Sequence, residues 1–324
     1  MPIDPRIAAL AGALAAAGPM TSAQAQTAWP AKSVRMIVPF APGGGTDIQA
    51  RLLSKKFQES TGQSFIVDNR PTANGMLGPE LVAKAPPDGY TILFQSASLA
   101  VNTTLVKKLA FNPLTDLDGV SLVSSVPLVL TVHPSLPVKT VRDLPALSKK
   151  TKSGLNAGSN GSGTTSHLAI EMFRQLTGVQ VVHIPYKGSG PATTALVSGE
   201  YEFGFPTALA ATPHMKSGRL RGLAVTTAKK ASAFPDLPTV DSFYKGFDVD
   251  NWYGMFVPAK TPKDVIARFN AEILKALKSP DVREFMSKEG GEPAGTTPEE
   301  MNAYFKREVD KFARVIKAGN VHSE

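Results

Sequence analysis

The fold is decided by the stretch Val38-Pro39-Phe40-Ala41-Pro42-Gly43-Gly44-Gly45-Thr46-Asp47. A mostly apolar run from Val34 to Phe40 precedes three glycines, and Thr46 then opens an amphipathic run with apolar residues at helical spacing. Backbone N–H groups at such a helix start lack partners within the helix, and together with the helix dipole they favour a negative group. The stretch therefore predicts an anion site. The alternative is a tight turn that needs glycine only for its geometry.

Length and composition point to a soluble protein with two domains. The chain has 324 residues, 42% of them hydrophobic and 19% charged, and chains of this length usually form two domains. It contains no cysteine, which excludes disulfides, a thiol nucleophile and thiolate metal sites. The net charge is +8, but the basic residues are scattered and no basic stripe is interleaved with aromatic residues. Nucleic acid is therefore not expected as a partner.

The first 25 residues differ from the rest and predict a secretory signal peptide. Residues from Ile7 to Ala17 are apolar, and Ser22-Ala23-Gln24-Ala25 ends in the small-x-small pattern of a signal-peptidase site. We expect cleavage near Ala25 and export to the periplasm; the alternative is a disordered or non-native leader. The apolar run is too short to span a bilayer and no later stretch comes close, so direct membrane insertion is not expected.

Strands alternate with helices along the chain, which predicts parallel sheets covered on both faces. Strands are predicted at 34–40, 65–68, 90–94, 154–157, 179–186, 201–205, 220–226 and 252–257. Between the two halves, Val120 to Val132 is a β-prone run interrupted by Pro127 and is a candidate crossover into a second domain. Near the end, Thr297-Pro298-Glu299-Glu300 is a strong signal for the start of a helix that reaches about Ala318.

A second glycine-rich loop lies in the middle of the chain and is rich in hydroxyl groups. It reads Gly158-Ser159-Asn160-Gly161-Ser162-Gly163-Thr164-Thr165-Ser166-His167 and precedes a helix that Gly178 ends. Hydroxyls and free N–H groups bind a carboxylate without a full positive charge. Two such loops, each after the first strand of its half, would grip an acid across a cleft. The alternative is a plain capping loop with Thr164 or Thr165 as N-cap.

No enzyme motif is met in the sequence. The first glycine stretch lacks the Gly-Lys-Ser/Thr of a P-loop and the G-x-G-x-x-G of a dinucleotide site. The region around Ser159 and Ser162 does not contain the G-x-S-x-G elbow of many hydrolases. The five histidines show no metal-ligand spacing, and we expect His133 and His183 to be structural. The sequence therefore predicts no catalytic residue, no metal and no cofactor.

Several segments occur together in an order that is typical of one known family. They are Trp29-Pro30, 38–47, Asp68-Asn69-Arg70-Pro71, Asp88-Gly89-Tyr90, 159–168, Pro185-Tyr186-Lys187-Gly188-Ser189-Gly190-Pro191-Ala192, 217–226 and 252–259. With these segments the chain resembles the Bug proteins, the TctC-type substrate-binding components of tripartite tricarboxylate transporters. The resemblance extends from Trp29 to the last predicted helix.

The resemblance implies a two-lobed α/β periplasmic binding protein fold of type II, with two crossover segments joining the domains. We expect a signal peptide at 1–25, a first domain at 26–125 and 227–324, and a second at 126–226. The implied ligand is a small organic acid held by backbone N–H groups, hydroxyls and bridging water. The implied ligand-binding residues are Phe40, Ala41, Pro42, Gly43, Gly44, Thr46, Ser96, Ala97 and Ser98 in the first domain, and Ser162, Gly163, Thr164, Thr165, Ser166, Pro206 and Thr207 in the second.

One position departs from the family pattern. Many members that bind amino acids have an aspartate directly after the phenylalanine that corresponds to Phe205, whereas this chain has Pro206-Thr207. We therefore expect an acid without an ammonium group, and the aromatic residues Phe40, Phe205 and Trp252 leave room for an aromatic one.

The expected protein is a monomeric extracytoplasmic receptor and not an enzyme. It binds a mono- or dicarboxylate, closes about a hinge and delivers the acid to the membrane components of a tripartite tricarboxylate-type transporter. The alternatives are a ligand-loaded sensor for a signalling system and a hydrolase or isomerase on the same frame.

Overall fold

The computed structural model describes residues 29–43, 45–72, 75–288 and 290–321. The predicted signal peptide and the predicted site residue Gly44 lie outside these residues. The elements are, in order, β1 (Val34–Val38), α1 (Gly45–Thr61), β2 (Phe65–Asn69), α2 (Leu77–Ala83), β3 (Thr91–Ser96), α3 (Ser98–Leu105), α4 (Pro113–Asp116), β4 (Leu117–Ser125), β5 (Val129–Val132), α5 (Asp143–Ser148), β6 (Leu155–Ser159), α6 (Thr165–Thr177), β7 (Val181–Pro185), α7 (Ser189–Val197), β8 (Phe203–Gly204), α8 (Ala208–Lys216), β9 (Arg221–Val225), a 3-10 turn (Val240–Ser242), β10 (Tyr253–Pro258), α9 (Lys263–Leu277), α10 (Pro280–Lys288), β11 (Glu292–Pro293) and α11 (Pro298–Gly319).

The strands of the described residues form two mixed sheets, one in each lobe. The first has six strands in the order β11-β4-β10-β3-β1-β2, and the second has five in the order β7-β6-β8-β5-β9. β1 is parallel to β2 and β3, and β6 is parallel to β7 and β8. β10 is antiparallel to β3 and β4, and β5 is antiparallel to β8 and β9. The prediction of parallel sheets is therefore wrong. β5 and β10, the strands by which the chain enters a lobe after each crossover, run antiparallel to their neighbours in the sheet.

Two crossover segments join the sheets, residues 126–128 between β4 and β5 and residues 226–252 between β9 and β10. Backbone hydrogen bonds tie the segments together: Asn251 N donates to Val126 O at 2.9 Å, and Thr226 N donates to Leu128 O at 3.0 Å. The predicted two-lobed frame with two crossovers is thus confirmed. The domain boundaries given above stay predictions.

The C-terminal helix α11 contacts both lobes. Its N-terminal part packs on the first lobe, where Asn302 Oδ1 accepts a hydrogen bond from Gly119 N at 2.8 Å. Its C-terminal part packs on α6 of the second lobe, where Gln175 Nε2 donates to Val315 O at 2.9 Å. The buried side chains of Phe305 and Phe312 belong to an apolar core that continues from one lobe into the other.

Several predicted helix ends are confirmed. Thr297 and Glu300 form a capping box at the start of α11, and α6 has Thr164 as N-cap and Gly178 in the left-handed conformation at its end. One start differs from the prediction: α1 begins at Gly45, so Thr46 lies within the helix. Ser98, one of the predicted ligand-binding residues, is the first residue of α3. None of the helices in the described ranges has the length and apolar character that crossing a membrane requires.

Candidate ligand-binding site

A cleft of about 530 Å³ opens between the lobes beside the crossovers. Its walls are formed by Phe40, Gly45, Thr46, Ser96, Val126, Asn160, Ser189, Gly190, Thr207, Leu209, Ala210, Asn251 and Tyr253. None of these thirteen residues has a carboxylate, an ammonium, a guanidinium or an imidazole group. In the part of the chain that the structure describes, there is also no cluster of three or more His, Cys, Asp or Glu residues suited to a metal ion. A charged ligand in this cleft is therefore met by backbone dipoles and neutral side chains.

Three helices begin at the cleft walls. α1 begins there with Gly45 and Thr46, α7 with Ser189 and Gly190, and α8 with Leu209 in its first turn. The first N–H groups of a helix have no intrahelical partner, and the helix dipole adds partial positive charge at the same end. α1 belongs to the first lobe and the other two helices to the second. The arrangement therefore suits an anion that bridges the lobes.

Asp47 fixes the shape of the first glycine loop. Its carboxylate accepts hydrogen bonds from Gly43 N at 2.9 Å, from Arg51 Nε at 3.0 Å and from Asn69 Nδ2 at 3.0 Å. Burial raises the pKa of Asp47, but the hydrogen bonds from Arg51, Gly43 and Asn69 outweigh burial and hold the pKa below its usual value. Gly43 has a φ of +83°, which favours glycine. The Gly43 N–H is therefore occupied within the loop, whereas Gly45 lies at the cleft wall.

Gln95 holds the second loop of the first lobe, between β3 and α3. Its Oε1 accepts a hydrogen bond from Ser96 N at 2.8 Å, and its Nε2 donates to Gly75 O at 3.3 Å. The hydroxyls of Ser96 and Ser98 lie 3.0 Å apart, so Ser98 supports the Ser96 hydroxyl at the cleft wall. Ala97 is fully buried, and its N–H donates to the backbone of the second crossover.

The hydroxyl-rich loop before α6 uses much of its hydrogen-bonding capacity internally. Thr164 Oγ1 donates to Gly161 O at 2.7 Å, and Ser166 Oγ accepts from Asn160 N at 2.9 Å. Gly163 lies against α3 of the first lobe, where an added Cβ would lie 2.6 Å from Leu105 Cδ2. From this loop, Asn160 reaches the cleft wall, and Ser166 supports it from behind.

The start of α7 is a site feature that the sequence reasoning missed. Gly188 is the N-cap, with a φ of 109° and no side chain to cap the helix. The hydroxyl oxygens of Ser189 and, one turn later, Thr193 are buried and have no hydrogen-bond partner among the described residues. The sequence signal is a third strand–glycine–helix segment, in which Lys187 to Ala192 leads from β7 into α7.

The cleft brings together part of the predicted site. Phe40, Thr46, Ser96 and Thr207 line its walls. The remaining predicted residues that the structure describes are not part of these walls, and their contact with a ligand stays a prediction: Ala41, Pro42, Gly43, Ala97, Ser98, Ser162, Gly163, Thr164, Thr165, Ser166 and Pro206. Phe205 and Trp252 are 0% exposed, so they do not provide the aromatic wall that was expected. Tyr253 lies at the wall instead.

A serine–histidine pair lies behind the hydroxyl-rich loop. Ser159 Oγ and His183 Nε2 are 2.7 Å apart, and the His183 ring stacks on His167 with a centroid distance of 3.8 Å. Burial lowers the pKa of His167 to about 4, so its neutral ring accepts a hydrogen bond from Gly163 N at 3.1 Å. Ser159 is only 1% exposed, so the pair supports the loop and does not present a nucleophile to the cleft.

Comparison with known protein sequences identifies relatives over nearly the whole chain. The family TctC, described as "Tripartite tricarboxylate transporter family receptor", matches residues 49–321. A Pseudomonas sp. protein from the tcbD–tcbE intergenic region is 36% identical over 310 residues, which cover 95% of this chain and 92% of that protein. Protein BugT of Bordetella pertussis is 35% identical over 96% of this chain and 97% of its own length.

Solved structures with the same fold include proteins with bound acids. R. palustris Rpa4515 with adipate has a TM-score of 0.79 and 32% identity, over 91% of this chain and 99% of that one. The periplasmic binding protein BugD has a TM-score of 0.76 and 33% identity, over 91% and 100%. MatC (Rpa3494) from Rhodopseudomonas palustris with bound malate has a TM-score of 0.75 and 28% identity, over 89% and 100%. The sequence motifs, the fold and these matches together place the chain in the TctC family, the receptors of tripartite tricarboxylate transporters.

Proposed function

We propose that this chain is a periplasmic receptor that binds a small carboxylic acid between its lobes and delivers it to the membrane components of a tripartite tricarboxylate-type transporter. The family match supports the receptor role, and two structural relatives contain adipate and malate. The observation that carries the proposal is the convergence of the starts of α1, α7 and α8 on a cleft without charged side chains. Backbone N–H groups there bind a carboxylate without a cationic side chain.

The ligand is an acid without an ammonium group. No carboxylate is among the cleft walls, and Pro206-Thr207 stands where the family resemblance leads us to expect an aspartate in many members that bind amino acids. An ammonium group enclosed in this cleft would lose its water and find no negative partner. Leaving a buried charge unpaired costs about 3–5 kcal/mol, which is enough to select against amino acids.

The ligand has a hydrocarbon body between its polar ends. Leu209 is 49% exposed and projects at the cleft wall, where Phe40, Val126 and Tyr253 add further apolar surface. Each methylene removed from water contributes about 0.8 kcal/mol. Adipate has two more methylenes than succinate, so it gains about 1.6 kcal/mol where both are covered. This favours acids with an apolar chain over compact hydroxy acids.

Binding closes the lobes about the two crossovers. The crossovers are joined to each other by the hydrogen bonds of Asn251 and Thr226 described above. An acid held by α1 on one side and by α7 and α8 on the other makes all of its contacts only when the lobes approach. Such a ligand stabilises the closed form, which the membrane components then recognise.

A thermal-unfolding screen of the purified protein tests the proposed function. The panel contains propionate, benzoate, succinate, malate, adipate, citrate, aspartate and glutamate. A ligand at one hundred times its Kd stabilises the folded state by about 2.7 kcal/mol, which gives a clear upward shift of the melting temperature. We expect a shift with acids that lack an amino group, and the largest with adipate. A panel in which no acid shifts the transition, or only aspartate and glutamate do, contradicts the proposal.

A further inference from the structure

Behind the cleft, a buried polar cluster fastens the second crossover to α11. Asp250 accepts hydrogen bonds from Ser125 Oγ and from Tyr304 OH, the latter at 3.3 Å. Two residues further on, Trp252 Nε1 donates to Glu308 Oε2 at 3.0 Å. Asp250, Trp252 and Glu308 are 7%, 0% and 5% exposed, so the cluster is shielded from solvent. Tyr304 and Glu308, four residues apart on α11, thus bind Asp250 and Trp252, two residues apart on the crossover.

The cluster contains an ion pair and a further carboxylate, where apolar side chains would fill the same space. Glu308 Oε1 lies 2.6 Å from Lys311 Nζ, and Asp250 adds a second carboxylate nearby. Burying such groups costs free energy, and apolar side chains of similar volume often replace buried ion pairs without loss of stability. Buried polar groups of this kind are instead able to fix one geometry among several.

The residues that alternate with the two anchored residues line the cleft. Along an extended chain, neighbouring side chains leave from opposite faces. Asp250 and Trp252 therefore face α11, whereas Asn251 and Tyr253 face the cleft and form part of its walls. Asn251 Nδ2 donates to Tyr253 OH at 3.0 Å, which joins the two wall residues. The positions of Asn251 and Tyr253 thus depend on the hydrogen bonds between α11 and the crossover.

We propose that α11 sets the position of Asn251 and Tyr253 through Tyr304 and Glu308, which are positioning residues and do not contact the ligand. Tyr304 and Glu308 lie between the contacts of α11 with the first lobe and those with α6 of the second lobe. The helix therefore fixes the positions of both lobes relative to the segment that contains Asn251 and Tyr253. The inference rests on the proposed function, because it takes Asn251 and Tyr253 as ligand contacts.

The first arm of the test needs no ligand. The chain has two tryptophans, and Trp29→Phe leaves Trp252 as the sole fluorescent indole. In this background, Glu308→Met/Lys311→Met replaces the buried ion pair with apolar side chains. The control Lys306→Met/Asp310→Met removes an exposed ion pair, 3.3 Å long, from the same helix. We expect acrylamide to quench Trp252 more strongly in the Glu308→Met/Lys311→Met protein than in the control.

The second arm measures adipate binding by titration calorimetry in the same variants and in Tyr304→Phe. Tyr304→Phe removes only the hydroxyl that donates to Asp250 and keeps the ring, which packs edge-on against Trp252 at 5.6 Å. We expect the Kd to rise about tenfold in the Glu308→Met/Lys311→Met protein and about fivefold in Tyr304→Phe. Both variants should remain fully folded at the temperature of the titration.

The outcomes separate positioning from stability and from the proposed function. Unchanged quenching and unchanged Kd in the Glu308→Met/Lys311→Met protein overturn the inference. The inference is also overturned if the Glu308→Met/Lys311→Met protein loses affinity and thermal stability to the same extent while the Tyr304→Phe protein binds adipate like wild type. If no acid binds the wild-type protein, the proposed function fails, and the quenching comparison alone decides whether α11 holds the crossover.

Discussion

The hydroxyl of Ser189 provides the sharpest test of where the acid binds. It is buried at the cleft wall without a hydrogen-bond partner among the described residues, so Ser189→Ala breaks no bond seen in them. Ser166, by contrast, has hydrogen-bond partners within the protein. Its Oγ accepts a hydrogen bond from Asn160 N at 2.9 Å and lies 3.0 Å from Thr164 Oγ1. Alanine at position 166 therefore removes support from within the protein.

The two substitutions are expected to have opposite effects on stability and affinity. A hydrogen bond to a charged acceptor contributes about 1.5–3 kcal/mol, so Ser189→Ala should weaken binding by about 10- to 150-fold. Without ligand, the same variant should be as stable as wild type or more stable, since burying an unpaired hydroxyl costs about 1–3 kcal/mol. Ser166→Ala should lower the free energy of unfolding by about 1–3 kcal/mol and affect the affinity less.

Urea unfolding without ligand and titration calorimetry with adipate measure the two effects. Ser198→Ala is the control, because its hydroxyl lies at the other end of α7 and donates to Thr194 O at 3.0 Å on the exposed surface. The assignment is refuted if Ser189→Ala binds adipate like wild type while Ser166→Ala loses most of the affinity. That result would place the carboxylate at the loop before α6, where the sequence analysis predicted it.

Three further predictions follow from the cleft wall and from the buried titratable groups. Leu209→Asn replaces an apolar wall residue, so the affinity for adipate should fall about tenfold while that for succinate changes little; calorimetry with both acids checks this, and equal losses contradict it. Burial raises the pKa of Glu308 above its ordinary value of 4.5, so ionisation destabilises the fold as the pH rises. The free energy of unfolding of Glu308→Gln minus that of wild type should therefore increase as the pH rises above 4.5, which urea titrations measure. If this difference falls instead, the ion pair with Lys311 outweighs the effect of burial on Glu308. His167 has a pKa of about 4 against an ordinary 6.5, so the fold should lose about 3 kcal/mol as the pH falls through this interval; an NMR titration with a midpoint near 6.5 would contradict the burial argument.

Local signals in the sequence predicted the ends and the order of many elements. Thr297 with Glu300 marked the start of α11, and Gly178 marked the end of α6, because caps depend on side chains next to each other in the chain. The strand–glycine–helix arrangement of Val38 to Asp47 also predicted the start of a helix at an anion site; α1 begins at the cleft wall, and the binding of an anion there stays a prediction. These features are encoded within a few residues and need no knowledge of distant partners.

Other features depend on partners far apart in the sequence and were not predicted. The direction of β10 is set by its insertion between β3 and β4, and nothing in the segment itself distinguishes it from a parallel strand. Phe205 and Trp252 are apolar in the same way as Phe40, but packing alone decides that they are core and that Phe40 is wall. The hydroxyls near Ser166 were numerous, whereas the single hydroxyl of Ser189 was at the wall. Abundance of hydroxyls in the sequence did not indicate which segment lines the cleft.

On the proposed function, the separation of the three helix starts would couple binding in a neutral cleft to closure of the lobes. A ligand shifts a conformational equilibrium only by the difference between its affinities for the two forms. An acid on α1 alone meets the N–H groups of one helix, and closure adds those of α7 and α8 with the Ser189 hydroxyl. The second set of contacts is therefore the part of the binding energy that favours the closed form. Loss of the Ser189 hydroxyl should thus weaken closure as well as affinity, because both draw on the same contacts.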